Sequence, residues 1–379
     1  MNWRRAAWVF LIVLAVVNVV AQSLNAPRSD DLTFLKWALD RTDDPGTPFF
    51  RPPPFPGWRP ANAAVWWISA RLEGGAAVGP QVSLGVFWLA AWGAFSYWAH
   101  LRGGARAGLY AATLLLVSAP FRDLVCWRSW NTTAGELAGI GLALVALELG
   151  KFGWAVLCGA IATWFKEPAF LIVPTAAVLV YRKPWVAVAV VALGLPGIRK
   201  AVGDDLPLGV SLGGLGEGLL FYVRSGARLI WPLAVFGLIA FDRFRLGWRG
   251  YNAVDPGTLA KFALLVASLT FAIVYPTRND AYTAEAVALG AAFAGSLLAN
   301  RLHPMAIVAV ALASAWSVPN SVENVRWQQA RQERLSQQFI ALSGNPPPSW
   351  KLAADATDDD TWLALRMKYD LGVPEGAGP

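Results

Sequence analysis

Residues 3–31 read WRRAAWVFLIVLAVVNVVAQSLNAPRSDD, an apolar run behind two arginines that ends in a pair of adjacent acids. The apolar part, 7–24, is long enough to cross a bilayer as one helix, which takes about 17–25 residues. Asp30 and Asp31 therefore stand where that helix leaves the membrane. A carboxylate there stays hydrated at little cost and lies within reach of chemistry at the lipid surface.

About ten further apolar runs follow, at 79–100, 105–121, 132–150, 152–165, 168–181, 184–198, 227–241, 258–275, 281–299 and 304–318. The chain thus reads as an all-α polytopic membrane protein with about eleven transmembrane helices. The runs 152–165 and 168–181 are short and break at Lys166-Glu167-Pro168, because the residue before a proline resists the helical region. Domain organisation follows the same pattern: a transmembrane domain over 1–318 and a small polar tail over 319–379. The tail holds a helix-like stretch at 323–342 and a break at Asn345-Pro346-Pro347-Pro348.

Composition agrees. Hydrophobic residues make up 56% of the chain and charged residues 15%, too apolar for a water-soluble domain of this length. Tryptophan is abundant, with 20 residues, and many fall near span ends, where an amphipathic ring suits the headgroup layer. The net charge of +7 comes from basic residues strung between apolar runs, so it marks topology and not a nucleic-acid surface. Cys126 and Cys158 fall in different runs and imply no disulfide framework. With two His and no Cys/His cluster, a structural zinc site is not expected. Walker-type, nucleophile-elbow and His-Glu-x-x-His elements are lacking, which removes support for ATP-driven transport and metalloprotease chemistry.

Orientation follows from short loops. With the N-terminus inside, the inner turns carry Arg102 and Arg106, Lys151, Arg182-Lys183, Arg243, Arg245 and Arg249, and Arg301, as the positive-inside rule requires. The cell's inner membrane is the expected location, with the acidic pair and the C-terminus on its outer side. The long outer segments are then 25–78, 122–131, 199–226 and 276–280, with the tail.

The first outer loop carries the chemistry. Ser29 can cap a helix whose first residues are Asp30 and Asp31. Asp31, Phe34, Leu35 and Ala38 recur at helical spacing while Lys36, Asp40 and Arg41 face elsewhere, the pattern of a short amphipathic helix lying on the membrane surface. Acids in a first turn are stabilised by the helix dipole, and an ionised carboxylate is what a general base must be. Helix capping alone accounts for the same residues. The stretch Phe49-Phe50-Arg51-Pro52-Pro53-Pro54-Phe55, then Trp58-Arg59-Pro60 and Trp66-Trp67, reads as an extended path with aromatic anchors, its arginines offering forks suited to phosphate.

Other charges sit at span ends. Lys166-Glu167 is either a snorkelling pair or a brace for the site loop, and Glu136 suits a structural hydrogen bond. Arg224 and Arg228 share a helix face at four-residue spacing, unfavourable unless something anionic joins them. Arg278 lies in a tight outer turn.

In order, these features resemble the GT-C superfamily of membrane glycosyltransferases. Ser29-Asp30-Asp31 looks like the acidic pair of the protein O-mannosyltransferases and lipid A aminoarabinose transferases. Phe50-Arg51-Pro52-Pro53 is similar to the Lys-Pro-Pro element of the latter, with Arg for Lys, and Trp58-Arg59-Pro60 equally resembles the Arg-Pro of other branches. Trp127-Arg128-Ser129-Trp130 and Phe165-Lys166-Glu167-Pro168 resemble the Trp-rich turn and Lys-Glu element. The resemblance covers roughly the first half of the chain, and the tail is smaller than the soluble domain of the better-known branches.

The resemblance implies sugar transfer from a polyprenyl-phosphate donor to a glycan, lipid or protein acceptor. Asp30, or Asp31 as second choice, would be the base. Some of Arg51, Arg59, Arg224, Arg228 and Arg278 would hold the donor phosphate, with Lys166 and Glu167 in support. No cofactor is required, although a divalent metal can bridge an acidic pair and a phosphate. Two rival classes use the same membrane setting. A flippase of lipid-linked glycans calls for ionisable residues in mid-span, where this chain is apolar. A polymerase or ligase of such glycans usually puts its main loop late, whereas here it comes first.

Overall fold

The computed structural model describes residues 3–22, 30–50, 59–76, 78–198, 263–268, 283–301, 318–353 and 355–376. Among these, helices dominate and the only β-pairing is an isolated Trp350–Glu375 bridge. The helices are α1 (Trp3–Gln22), α2 (Asp30–Leu39), α3 (Thr47–Phe50), α4 (Pro60–Glu73), α5 (Val78–Val117), α6 (Ala119–Arg122), α7 (Asn131–Glu148), α8 (Phe152–Phe165), α9 (Ala169–Thr175), α10 (Pro184–Ile198), α11 (Ala284–Arg301), α12 (Val318–Gly344) and α13 (Asp358–Asp370). Two of them, α1 and α5, are long and apolar enough to cross a membrane on their own, and α8, α10 and α11 carry shorter apolar stretches.

The described parts of the expected spans 7–24, 79–100, 105–121, 132–150, 152–165, 184–198 and 281–299 are largely helical. The run 168–181 appears as α9 continued by a π turn at Ala176–Val180, directly after Pro174 has removed a backbone donor. Runs 227–241 and 304–317, and most of 258–275, lie outside the described residues.

The 40 residues of α5 are two helices in sequence. Gly104 adopts φ 77°, ψ −175°, a left-handed conformation that only glycine takes without strain, and the chain folds back at the basic turn between two expected spans. The second half ends at Val117, short of 121, where Ser118 takes extended backbone before Pro120.

A bundle forms as α1 and α11 pack on α5, α5 on α7, α7 on α8, and α8 on α10. At Gly139 of α7 a Cβ would meet the Ala162 Cβ at 2.7 Å and the Cys158 carbonyl at 2.9 Å. Small residues let membrane helices approach this closely, because lipid tails provide no hydrophobic drive between them. One face of α1 is left open, with Val9, Phe10, Ile12, Val13, Val17 and Val20 each about half exposed or more, as a lipid-facing stripe requires.

Tryptophan plays two roles, of which the sequence reading named one. Trp154 and Trp185 are exposed near the starts of α8 and α10. In α5, by contrast, Trp88, Trp92 and Trp98 are buried and donate to the Phe121 carbonyl (2.7 Å), the Ala112 carbonyl (3.1 Å) and the Tyr181 hydroxyl (2.8 Å). Their N–H groups join helices inside the bundle.

The first loop also differs from its expected form. Residues 60–73 are a full helix, α4, not an extended aromatic stretch, starting with Pro60 at its first position and ending at Gly74, φ 61°. The apolar face of α2 is not laid on lipid. It packs on Ala63, Trp66 and Ala70 of α4, Leu335 of α12, and Trp362, Leu363 and Leu365 of α13, with Phe34 and Trp66 stacked at 5.7 Å. The tail helix α12 is longer than 323–342, and with α13 it is docked onto the acid-bearing loop.

Candidate active site

Two groups of buried charge lie at the acid-bearing end of the bundle. The first surrounds the start of α2. Asp30, its first residue, is exposed, whereas Asp31 retains 1% exposure. Adjacent residues of a helix point about 100° apart around its axis, so the two acids receive different surroundings. Asp31 Oδ1 accepts a 2.5 Å bond from the Ser129 amide, in the Trp127-Arg128-Ser129-Trp130 turn. Arg128 of the same turn is buried and donates to the Ala76 carbonyl at 3.4 Å. Burial pushes its guanidinium down to about 10, Asp31 and Glu73 pull it back up, and Arg331 of α12 adds to the drop. Four elements therefore meet at one point: α2, the turn after α4, the turn before α7, and the tail.

The turn is held from behind. Asn131 bonds the Pro80 and Arg128 carbonyls and accepts from Ser83 at 3.0 Å. Arg122 clamps Asp123 with Nε at 2.8 Å and Nη2 at 3.2 Å, while Asn18 and Gln22 of α1 bond its carbonyl.

The second group centres on the Lys166-Glu167 break. Lys166, backbone-extended at φ −162°, ends α8. Its Nζ lies 2.7 Å from Glu285 of α11 and 3.8 Å from Glu136 of α7, all three nearly or fully buried. Glu167 points the other way and takes a forked pair from Arg59, Nε at 3.3 Å and Nη2 at 3.2 Å. Burial raises the Glu167 carboxyl, but the Arg59 charge and hydrogen bonds outweigh it and leave it below its ordinary value. This forked pair joins the first loop to the break after α8, with Arg59 just before α4 as its other half.

Of the residues singled out in the sequence, Asp30, Asp31, Arg59, Lys166 and Glu167 are placed at this end. Arg51, Arg224, Arg228 and Arg278 lie outside the described residues. Arg59 is engaged by a carboxylate rather than open to phosphate. Three participants were missed: Glu285, Glu73 and Arg331, each brought in by contacts across long separations. A lone acid in the apolar run 281–299 was the signal available for Glu285, since an unpaired charge in a span is costly.

Among the described residues no group of three or more His, Cys, Asp or Glu is placed to hold a metal ion.

No protein-family model matches the chain, and no curated protein does. Solved structures do, two of them of one protein. One is ArnT from Cupriavidus metallidurans bound to undecaprenyl phosphate, with a TM-score of 0.60 and 13% identity over 94% of this chain and 84% of that one. The other is the same protein in the apo state, with a TM-score of 0.61 and 12% identity over 98% and 85%. At this identity the likeness is one of fold: the chain shares the helical architecture of ArnT through nearly its whole length.

Proposed function

We propose that the chain transfers a sugar from a polyprenyl-phosphate donor to an acceptor hydroxyl at the outer membrane surface. The observation that carries this is the split of the acidic pair on a fold shared with a protein bound to undecaprenyl phosphate. Asp30 is exposed at the helix start and is the base that takes the acceptor proton. Asp31, buried against Ser129 and Arg128, positions α2 and does not touch substrate. The acceptor oxygen attacks the anomeric carbon as the bond to the lipid phosphate breaks, which inverts that centre. Arginine forks stabilise the charge developing on the departing phosphate, a role for Arg51, Arg224, Arg228 and Arg278. Arg59 joins them only by exchanging Glu167 for phosphate.

The outer location rests on the basic turns at Arg102, Arg106, Lys151 and Arg182-Lys183, which favour the cytoplasmic side. Single-cysteine reporters test it, with Cys126 and Cys158 replaced. Lys351→Cys reacts with an impermeant reagent on intact cells and Arg106→Cys does not; the reverse labelling would refute the orientation. The reaction is tested by mass spectrometry of envelope glycans and polyprenyl-linked sugars in a deletion strain. The expected result is one sugar-bearing component lost and its lipid-linked precursor accumulated. Identical profiles with and without the gene would refute transfer.

A further inference from the structure

Two turns at one end of the bundle reverse the chain in the same way. Gly150 leads α7 into α8 at φ 69°, and Arg182 leads the π turn after α9 into α10 at φ 54°. A positive φ is strained for a residue with a Cβ, and glycine would relieve it at Arg182 as it does at Gly150. Strain held at a non-glycine residue points to a use for its side chain. Each turn also delivers a lysine to the next helix, Lys151 before α8 and Lys183 before α10.

These ends are in contact. Lys183 Nζ lies 5.0 Å from the centre of the Phe152 ring, and Trp185 meets that ring edge-on at 5.9 Å. Among the described residues no carboxylate is within ion-pair distance of Lys151, Arg182 or Lys183. Glu148, the acid nearest Lys151 in sequence, is taken by Arg102 at 3.3 Å and by the Tyr181 hydroxyl at 2.7 Å. Positive charge is therefore left over at this end.

Beside it the surface is apolar. Phe152 lines a cavity of about 370 Å³ with Lys151, Gly153, Trp154 and Leu157. A Cβ at Gly153 would meet nothing within 4 Å, so the cavity is open there. Trp154, Leu157 and Ile161 stand exposed along α8 at three- and four-residue spacing, which places them on one helix face. A soluble anion would leave that face uncovered, and a lipid without net charge would leave the cations uncompensated. A lipid with an anionic headgroup satisfies both.

We propose that the groove at the starts of α8 and α10 binds one anionic phospholipid, its phosphate between Lys151 and Lys183 and an acyl chain along Trp154, Leu157 and Ile161. The 14 residues of α8, about 21 Å at 1.5 Å per residue, separate this groove from the Lys166 group. The proposal rests on the membrane location and not on sugar transfer.

Native mass spectrometry of the delipidated protein in detergent micelles tests it, with phosphatidylglycerol, phosphatidylcholine and sn-glycerol 3-phosphate as probes. One phosphatidylglycerol is expected to bind in preference to phosphatidylcholine. A cation beside an anionic lipid surface contributes about five-fold in affinity, so Lys151→Gln and Lys183→Gln are each expected to lose that much. Gly153→Leu fills the cavity without changing charge and is expected to displace the lipid. Arg106 is an exposed cation in the basic turn of α5 at the same end, and Arg106→Gln is expected to bind as wild type does. An equal loss in Arg106→Gln would mean diffuse surface charge and overturn the site. So would wild-type binding by Gly153→Leu or by both lysine variants, or glycerol phosphate bound as tightly as the lipid.

Discussion

The structure has two apolar interiors built by opposite means. The bundle core is made of Ala, Leu and Val with Trp88 and Trp98 inserted, its helices drawn close by small residues and joined by Trp–carbonyl bonds. The second interior, between α2, α4, α12 and α13, is smaller and aromatic, with Phe34, Trp37, Trp66 and Trp362 at its centre. In lipid, helix association gains little from apolar burial and relies on close packing and hydrogen bonds. In water, burial itself is the drive, at about 25 cal/mol per Å². The acidic pair, Arg128 and the Lys166 group lie on the seam between the two, where each interior fixes one side of the site.

The seam is where a single change costs most. Lys166→Met leaves Glu136 and Glu285 buried without their cation. Removing one partner of a buried pair costs about 3–5 kcal/mol. Unfolding in mixed micelles therefore shows a large loss of stability, and a wild-type curve would mean that the triad is not closed in the membrane.

Trp66→Ala removes the centre of the aromatic interior, a change costing about 3–5 kcal/mol in a packed core. Limited proteolysis is expected to cut the tail and first loop while α5, α7 and α8 stay protected. Equal cleavage of bundle and cap would merge the two interiors into one cooperative unit.

Arg59→Lys keeps charge but loses the planar fork on Glu167, at roughly 1.5–3 kcal/mol for hydrogen bonds to a charged group. The pH dependence has a fixed sign. Glu167 is held below its ordinary value of 4.5 in the fold, so its stabilisation is present above that pH and fades as pH falls through the lower folded value. Glu167→Gln is expected to flatten this acid limb of the stability profile; an unchanged limb would assign it to other groups.

The smallest effect belongs to the bundle. Trp88→Phe deletes one bond to the Phe121 carbonyl, and such bonds within membranes average roughly 0.6 kcal/mol. A loss several times larger, read by the same unfolding assay, would show that Trp–carbonyl bonds and not close packing hold the core.

The two interiors were unequally legible in the sequence. Bundle helices announce themselves by apolar runs, and the turns at Gly104 and at Lys166-Glu167-Pro168 by backbone chemistry, all of it local. The aromatic interior depends on residues more than 300 positions apart, such as Asp40 and Tyr369, and no local period encodes that contact. α4 was concealed by Trp66-Trp67, which read as membrane anchors, although Pro60 at its start and Gly74 at its end carried the usual start and stop signals. The acidic pair was recognisable at once. Its division of labour was not, because only Ser129 and Arg128, folded in from about a hundred residues away, distinguish Asp31 from its neighbour.

That division is the central claim, and one comparison of rates tests it. Asp30→Asn removes an exposed carboxylate and Asp31→Asn a buried one, with size conserved in both. The account predicts that Asp30→Asn binds the polyprenyl-phosphate donor and unfolds like wild type yet transfers sugar about 10²–10⁴-fold more slowly, the usual cost of losing a general base. Asp31→Asn is expected to lose stability first, because Arg128 is left buried without its carboxylate. Wild-type transfer by Asp30→Asn, in a protein that still binds donor, would contradict the account.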